Sequence, residues 1–415
     1  MVGEAAQLVV EADQRLTSRF RELEEISRTN TKKVLCAFWA EKVSESDLYG
    51  STGYGYTDLG RDKLEHIYAR VFGGQAAIVR PQLVSGTHAL KTALFGILRP
   101  GDRVLVGTGT PYDTLEGVLG LRKTEGSLAE LGVSTDVVAW DEHGKINLPA
   151  LLSAMRSDTK LVMLQKSRGY QSRASLLTAT DLATSISAIK ERDPNVLVLV
   201  DNCYGEFVET MEPCDVGADV VAGSLIKNPG GGLATTGGYI VGRRDVIDTI
   251  GAQLIAPGVG LHAGPTHGFL REFYQGLFMA PHTVKEAQKT SLLLSSVLES
   301  LGYEVDPSPN DDRGDLILSV ALNSPSSLLA FCRAIQGAAP IDAHVTPQDS
   351  SMPGYEDAVV MAAGTFVQGS SIELSADGPM RPPYIAYVQG ALTYEHGYVA
   401  AGKVAETLLA EQRRS

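Results

Sequence analysis

The chain has 415 residues, of which 44% are apolar and 20% are charged, a composition typical of a globular protein rather than a disordered or fibrous one. One hydrophobic core usually stops growing below this length, so two packed domains are expected. The formal net charge of −13 argues against a nucleic-acid partner, because such partners require basic patches that neutralise phosphates. No run approaches 18 apolar residues, so no membrane span is expected.

The N-terminus and the cysteines indicate the compartment. Glu4, Glu11 and Asp13 interrupt the basic-then-apolar pattern that a signal peptide requires. The four cysteines are scattered and form no Cys-x-x-Cys pair, which suits a reducing compartment and argues against a zinc ribbon or a redox dithiol. We therefore expect a cytoplasmic protein.

The first fifty residues are predicted to form an N-terminal helical arm, residues 1–50. Apolar residues recur at helical spacing over 6–28, and residues 32–44 indicate a second, short helix. The segment that follows is too rich in glycine for a helix or a central strand. It is a loop that carries Tyr54 and Tyr56 on a flexible backbone.

From about residue 60 the pattern alternates between helices and strands. Short apolar or β-branched runs predict strands at 76–81, 103–106, 136–140, 160–165 and 196–200. Continuous apolar strands flanked by helices predict an α/β fold with a mostly parallel sheet that is covered on both faces. We assign this large domain to residues 51–290. The pattern of predicted elements changes after residue 290. Two helices and several strands with alternating apolar residues predict a smaller C-terminal α+β domain over 291–415.

One lysine lies between a strand and a glycine-rich loop. A predicted strand at 220–223 leads to Ser224 and Lys227, and the glycines at 230–232 follow. Glycines let the backbone approach a ligand closely, and lysine is the residue that forms Schiff bases with carbonyl cofactors. The alternative is a solvated lysine on a hairpin.

An aspartate lies at the end of the clearest predicted strand. Asp201 follows the run Val-Leu-Val-Leu-Val, and ligands bind at the carboxyl ends of strands in open α/β sheets. An aspartate there can pair with the pyridinium nitrogen of pyridoxal 5′-phosphate (PLP) and keep it protonated. Alone, Asp201 is equally explained as a helix cap. Together with Lys227 it favours a PLP cofactor.

A small polar triplet opens a predicted helix. Ser85, Gly86 and Thr87 precede His88, and the free amides and the dipole of a helix start are a natural seat for a phosphate group. The hydroxyl of Ser224 is a further candidate for the same phosphate. An ordinary helix cap is the alternative.

Tyr112 lies in a loop just after the strand at 103–106, where its ring suits stacking on a planar cofactor. The same loop begins like a dinucleotide fingerprint but lacks the third glycine, so a nicotinamide-dependent dehydrogenase is a weaker alternative. Ser224 and Lys227 spell the Ser-x-x-Lys motif of serine acyl-enzymes, but the partner motifs are absent.

Three histidines in the region 262–282 match no common ligand spacing, so no metal site is expected.

The order of these motifs resembles that of fold-type-I PLP-dependent enzymes of the methionine γ-lyase-like, or aluminium resistance, family. The matching segments are Ser-Gly-Thr-His-Ala at 85–89, Pro-Tyr-Asp-Thr at 111–114, Asp-Asn-Cys-Tyr-Gly-Glu-Phe at 201–207 and Gly-Ser-Leu-Ile-Lys-Asn-Pro-Gly-Gly-Gly at 223–232. The likeness extends from Gly53 to Tyr384, which is most of the chain. It implies the fold-type-I PLP-dependent transferase fold, with a seven-stranded type of large sheet.

The resemblance also implies roles for single residues. Lys227 would be the Schiff-base lysine, and Asp201 would be the pyridinium partner. Tyr112 would be the stacking ring and a candidate proton shuttle. The phosphate would be held by Ser85, Gly86, Thr87 and Ser224, with His88 beside them.

Further residues would bind the phosphate from a neighbouring subunit or bind the substrate. Tyr54, Tyr56 and Arg61 are the candidates for the neighbour's contribution, which implies a homodimer or homotetramer with shared active sites. The first choice for the substrate carboxylate is Arg381, whose planar fork suits bidentate binding. Arg173 and Gln82 are further substrate-binding candidates.

Four departures from the family pattern concern the substrate. Arg-Leu-Thr, Arg-Pro-Ser, Gln-Gly-Ala-Ser and Gly-Gly-Leu are replaced, in this order, by residues 253–255, 173–175, 368–371 and 390–392. The cofactor motifs are intact, so the resemblance implies γ-elimination on an L-amino acid. The leaving group is a thioether, as in methionine, or a halide from a chlorinated unsaturated amino acid that gives propargylglycine. Alternatives are γ-replacement, β-elimination, or a non-catalytic PLP-binding resistance or regulatory protein.

Overall fold

The structure, a computed structural model, describes residues 3–167, 177–351 and 357–414. It begins with helices α1 (Glu4–Arg15) and α2 (Thr17–Ala40). The break between them is at Leu16, whereas the sequence predicted a break near residue 30. Asn30 looks like part of a polar linker, but its side chain is buried and donates to the carbonyls of Phe207 and Glu209 at 3.1 and 2.9 Å. The helix therefore continues because this polar residue is a tertiary contact.

The large sheet has the seven strands and the mostly parallel order that the sequence predicted. Its strands are β1 (Ala76–Arg80), β2 (Arg103–Val106), β3 (Ser134–Val137), β4 (Thr159–Gln165), β5 (Leu197–Asp201), β6 (Val220–Ser224) and β7 (Gly238–Gly242). They lie in the order β1-β7-β6-β5-β4-β2-β3. Only β7 runs antiparallel to its neighbours, β1 and β6.

Helices cover both faces of this sheet, which explains why its central strands consist mainly of apolar residues. The helices of this part are α3 (Leu59–Val71), α4 (Gly86–Ile97), α5 (Asp113–Leu119), α6 (Leu148–Ala154), α7 (Ala179–Arg192) and α8 (Arg244–Leu254). In β5, Val198 and Val200 join one buried cluster, whereas Leu199 between them joins the cluster on the opposite face. A strand with water on one face would instead alternate between apolar and polar residues.

A long helix, α9 (Leu270–Ser300), leads from the large sheet to a second one. The second sheet consists of β8 (Glu304–Asp306), β9 (Leu318–Ala321), β10 (Asp349–Ser350), β11 (Val359–Ala362), β12 (Ser375–Pro379) and β13 (Ile385–Gln389). Its strands are antiparallel, in the order β10-β11-β12-β13-β9-β8. Helices α10 (Pro325–Ala338) and α11 (Tyr394–Gln412) complete this region. Helix α1 packs against α11 and α9, so Val9 and Ala12 belong to the same buried cluster as the second sheet.

Across the described ranges, no helix combines the length and the apolar character that a membrane crossing requires.

Candidate active site

A cavity of about 280 Å³ lies where strands β4, β5 and β6 end, next to the start of helix α4. This is the edge at which open α/β sheets bind their ligands. Its lining includes the predicted residues Ser85, Gly86, Thr87, Tyr112, Asp201, Ser224 and Lys227. The structure therefore brings together residues that are spread over more than a hundred positions of the chain.

The start of α4 forms one end of the cavity. Ser85 caps the helix, and its Oγ accepts a hydrogen bond from the amide of His88 at 3.1 Å. The amides of Gly86 and Thr87 belong to the first turn, whose N–H groups have no acceptor within the helix. A Cβ atom on Gly86 would lie 3.0 Å from the Sγ of Cys203 and 3.3 Å from the Cβ of Ser224. Glycine therefore allows this close approach without displacing its neighbours, which places the helix start against Ser224 and makes a seat suited to a phosphate group.

Tyr112 lies beside this helix start. Its hydroxyl oxygen is 3.3 Å from the Oγ1 of Thr87, and its half-buried ring lines the cavity. The ring borders the space between the helix start and the ends of the central strands. This position suits the stacking role that the sequence predicted for Tyr112.

Asp201 ends the central strand β5 and is almost completely buried, with 4% of its surface exposed. Its Oδ1 accepts the amide of Cys203 at 3.1 Å, and the side chain of Gln165 from the neighbouring strand also donates to it. Burial raises the pKa of Asp201, while the positive charge of Lys227 opposes that rise. A buried carboxyl group of this kind is stabilised by a cationic partner, such as a protonated ring nitrogen.

The amine of Lys227 lies inside the same cavity. Its Nζ atom is 4.0 Å from the centre of the Tyr204 ring. Burial lowers the pKa of Lys227, but the titratable groups beside it, first Cys203 and Tyr204 and then Asp201 and Glu206, raise it by more. The net pKa of Lys227 is above the ordinary value of a lysine.

The sequence did not predict that several further residues belong to the cavity wall. The central strands and the loop after β5 add Gln165, Cys203 and Tyr204, and the second sheet and its loops add Ile317, Ser370, Asp377, Tyr387 and Gln389. Asp377 and Tyr387 are register partners on β12 and β13. Tyr387 and Gln389 alternate along β13, which indicates from the sequence that they share one face of that strand. Only the pairing of β13 with β12 shows that this face lies at the cavity.

Among the residues predicted to serve the site of their own subunit, Arg381, Gln82 and His88 do not line the cavity. Arg381 is exposed on the surface and forms an ion pair with Asp357 at 2.9 Å, so this arrangement does not bring it to a substrate carboxylate. Gln82 donates its Nε2 to the carbonyl of Pro265 at 2.6 Å. The ring of His88 turns back, and its Nδ1 accepts the amide of Val84 at 3.3 Å. The fourth candidate, Arg173, lies outside the described residues.

The residues that were predicted to reach a neighbouring subunit fall into two groups. Tyr54 and Tyr56 are exposed by 75% and 64%, and their rings stack with centroids 5.3 Å apart. Arg61 is only 2% exposed, and its guanidinium group donates to the carbonyls of Gly55 and Gly264 and to the Asp62 carboxylate. A guanidinium group that is satisfied within its own chain does not reach another subunit. The two tyrosines therefore carry this prediction without Arg61.

In the described part of the chain, no group of three or more histidine, cysteine or acidic side chains is arranged to hold a metal ion.

Comparison with known proteins shows the family. The sequence profile of the methionine γ-lyase family matches residues 5–409. YnbB, an uncharacterized protein of Bacillus subtilis, is 51% identical over 405 residues, which cover 97% of this chain and 96% of that protein. A carbon–sulfur lyase of Clostridium novyi that is involved in aluminium resistance is similar in structure, with a TM-score of 0.93, 44% identity and coverage of 98% of this chain and 96% of that one.

A more distant structure supports the fold. The PLP-dependent protein YhfS of Escherichia coli is 19% identical, covers 94% of this chain and 97% of that one, and superposes with a TM-score of 0.63. The predicted fold-type-I architecture is thus confirmed. With a family match that spans almost the whole sequence, the chain belongs to the methionine γ-lyase family.

Proposed function

We propose that the chain is a PLP-dependent carbon–sulfur lyase that catalyses γ-elimination on an L-amino acid with a thioether at its γ carbon, as in methionine. The observation that carries this proposal is the convergence of Lys227, Asp201 and the helix start at residues 85–87 on one cavity. The family and the carbon–sulfur lyase of Clostridium novyi support the same chemistry. No observation favours a halide leaving group, which remains a prediction from the sequence.

The residues of the cavity fit PLP. The amides of Gly86 and Thr87 and the hydroxyl of Ser224 would hold the phosphate, because the helix start supplies both donors and a favourable dipole. Asp201 would pair with the pyridinium nitrogen, whose positive charge satisfies its buried carboxylate. Tyr112 would stack on the ring. The close packing at Gly86 brings the start of α4 next to Ser224 of β6, which supports this assignment.

The chemistry divides between the cofactor and the chain. PLP, when bound, supplies an electron sink that stabilises negative charge on the substrate. Lys227 acts on the protons: its unprotonated amine removes the proton from Cα. Elimination also removes a proton from Cβ and requires a proton on the departing sulfur. Lys227 and the hydroxyl of Tyr112 are the groups of the cavity that we assign to these transfers.

We further propose that two or more copies of the chain assemble with shared sites. The exposed, stacked rings of Tyr54 and Tyr56 support this, because large aromatic side chains at a surface are typical of interfaces. Their hydroxyl groups would reach the phosphate of the neighbouring subunit. The number of subunits is tested by light scattering of the purified protein with and without PLP.

The test of the function starts from an absorbance spectrum of the purified protein with PLP, followed by product analysis. Methionine should give methanethiol, 2-oxobutanoate and ammonia. Cystathionine separates the alternatives, because γ-elimination gives cysteine and 2-oxobutanoate, whereas β-elimination gives homocysteine and pyruvate. A γ-chlorinated unsaturated amino acid tests for halide release in the same assay.

The variant Lys227→Ala should abolish turnover. Lys160→Ala is the matched control, since Lys160 is an exposed lysine at the opposite end of β4 and should keep full activity. A protein that remains colourless with PLP, or a Lys227→Ala variant with appreciable turnover, would overturn the proposal.

A further inference from the structure

The residue that faces the amine of Lys227 is held in an unusual conformation. Tyr204 has a φ of 67°, in the left-handed region that side chains other than glycine rarely adopt. It is only 5% exposed, and its ring is part of the cavity wall. Strained backbone of this kind persists where the surrounding structure enforces it, and it is common at functional sites.

The ring of Tyr204 and the amine of Lys227 are in cation–π geometry. The Nζ atom lies 4.0 Å from the ring centre, within the distance at which the negative face of an aromatic ring attracts an ammonium group. Burial raises the pKa of Tyr204 to about 12, so the phenol is neutral and acts through its ring face rather than as an anion. We propose that Tyr204 is a positioning residue that holds the free amine of Lys227 in the cavity through the face of its ring.

The second sheet region fixes the ring and the lysine together. The hydroxyl of Tyr204 donates to the carbonyl of Ser371 at 3.4 Å. The next residue, Ile372, donates its amide to the carbonyl of Ile226, directly before Lys227, at 3.1 Å. One loop therefore contacts both the aromatic ring and the backbone that carries the lysine, so the distance between the two groups is set from both sides.

The role deepens the proposed function, on which it rests: a lysine that moves protons must stay close to the reacting carbon atoms when its amine is free. The titratable groups that face this amine are Asp201, Cys203, Tyr204 and Glu206. Carboxylates attract the ammonium group but also accept hydrogen bonds that draw it away from the cavity centre. An aromatic face stabilises the charge and competes for no proton, so it can hold the amine without consuming the proton that the amine transfers.

The test measures the amine itself in the cofactor-free chain. Reductive methylation by formaldehyde and cyanoborohydride proceeds through unprotonated amines, and its rate at Lys227 between pH 7 and 9 is followed by peptide mass spectrometry, with Lys160 as the reference. Tyr204→Leu removes the ring and should raise the relative rate at Lys227 about tenfold. Tyr204→Phe keeps the ring face and should stay within about twofold of the original chain.

A second series guards against misfolding of the leucine variant. Phenylalanine with an increasing number of ring fluorines at position 204 keeps the shape of the ring but progressively weakens its negative face. The methylation rate at Lys227 should rise stepwise with the fluorine count. A flat series, or a Tyr204→Phe variant that behaves like the leucine variant, would overturn the role of the ring.

These rates are measured without PLP or substrate. A failure of the proposed lyase activity is therefore distinguishable from a failure of this inference.

Discussion

Replacing Asp201 by asparagine removes the buried carboxylate at the end of β5 and keeps the shape of the side chain. A protonated ring nitrogen about 4 Å away would be stabilised by about 4 kcal/mol at an effective dielectric of about 20. Loss of that attraction lowers the pKa of the ring nitrogen by about three units, because one unit corresponds to about 1.4 kcal/mol. The nitrogen then loses its proton near neutral pH, and kcat should fall about a thousandfold.

The same change should not harm the chain on its own. Burial raises the pKa of Asp201, so its carboxylate is costly in the folded state without a cofactor, and an amide removes that cost. We expect the free energy of unfolding of cofactor-free Asp201→Asn, from urea titration, to equal or exceed that of the original chain. Asp158→Asn changes an exposed carboxylate paired with Arg103 and is the activity control.

Two results would contradict this reasoning. If kcat of Asp201→Asn stays within tenfold of the original value, Asp201 is not the partner of the ring nitrogen. If the cofactor-free variant is less stable by 2 kcal/mol or more, about the cost of an unsatisfied buried group, the carboxylate has a structural role.

Three further predictions concern buried charges and the exposed loop. The Nε of Arg80 lies 2.6 Å from the Oε1 of Glu65, and Arg80→Met leaves that carboxylate without its buried partner. The free energy of unfolding should fall by about 3–5 kcal/mol in urea titration. An unchanged midpoint of the urea unfolding curve would contradict this. Burial raises the pKa of Glu206 to about 8, so the folded state holds its proton and loses stability as the pH rises from about 4.5 to about 8. Glu206→Gln should therefore gain stability relative to the original chain over that pH range. An equal difference in the free energy of unfolding between the two proteins at pH 5.5 and at pH 8.5 would refute this. Tyr54→Phe should weaken PLP binding about tenfold through a lost hydrogen bond to phosphate, whereas Tyr49→Phe, an equally exposed tyrosine nearby, should not; equal affinities by fluorescence titration would count against the shared site.

The parts of the site that the sequence predicts are those with a local cause. The strand before Asp201 is recognisable because both of its faces are buried, and every residue in it must be apolar. The candidate phosphate seat is recognisable because small polar residues precede a predicted helix, although a helix cap gives the same local pattern. Ser224 and Lys227 are recognisable because they lie between a strand and glycines. In each case neighbouring residues alone carry the signal.

The parts that the sequence misses depend on contacts between distant segments. Arg61 looks like an arginine available to another subunit, but carbonyls from two segments of its own chain bind its guanidinium group. Arg381 looks suited to a carboxylate, but it pairs with Asp357 at the surface. Asn30 looks like a linker residue until the carbonyls of Phe207 and Glu209 are found next to it. No local pattern reports these partners.

The residues that we assign to the reaction and those that would contact the substrate side chain come from different parts of the fold. The residues that we assign to the cofactor come from the large sheet and its loops, whereas Asp377, Tyr387 and Gln389 form part of the wall that comes from the second sheet. One of the departures from the family pattern falls at this wall, and a second lies close to it in the chain. Ser370, where the family pattern has alanine, lines the cavity itself, and Gly390 directly follows Gln389.

Gly390 shows why this wall resists substitution at one position and allows it at the next. Its φ is 81°, and a Cβ atom there would lie 2.3 Å from the carbonyl oxygen of Glu373, so only glycine fits. Ala391 has room for its methyl group in the buried cluster of the second sheet, where the family pattern has glycine. The residues that we assign to the cofactor, among them Lys227 and Asp201, keep the family pattern. Ser370 and Gln389 both line the cavity, so variants at these two positions test the substrate preference more directly than variants of the cofactor motifs.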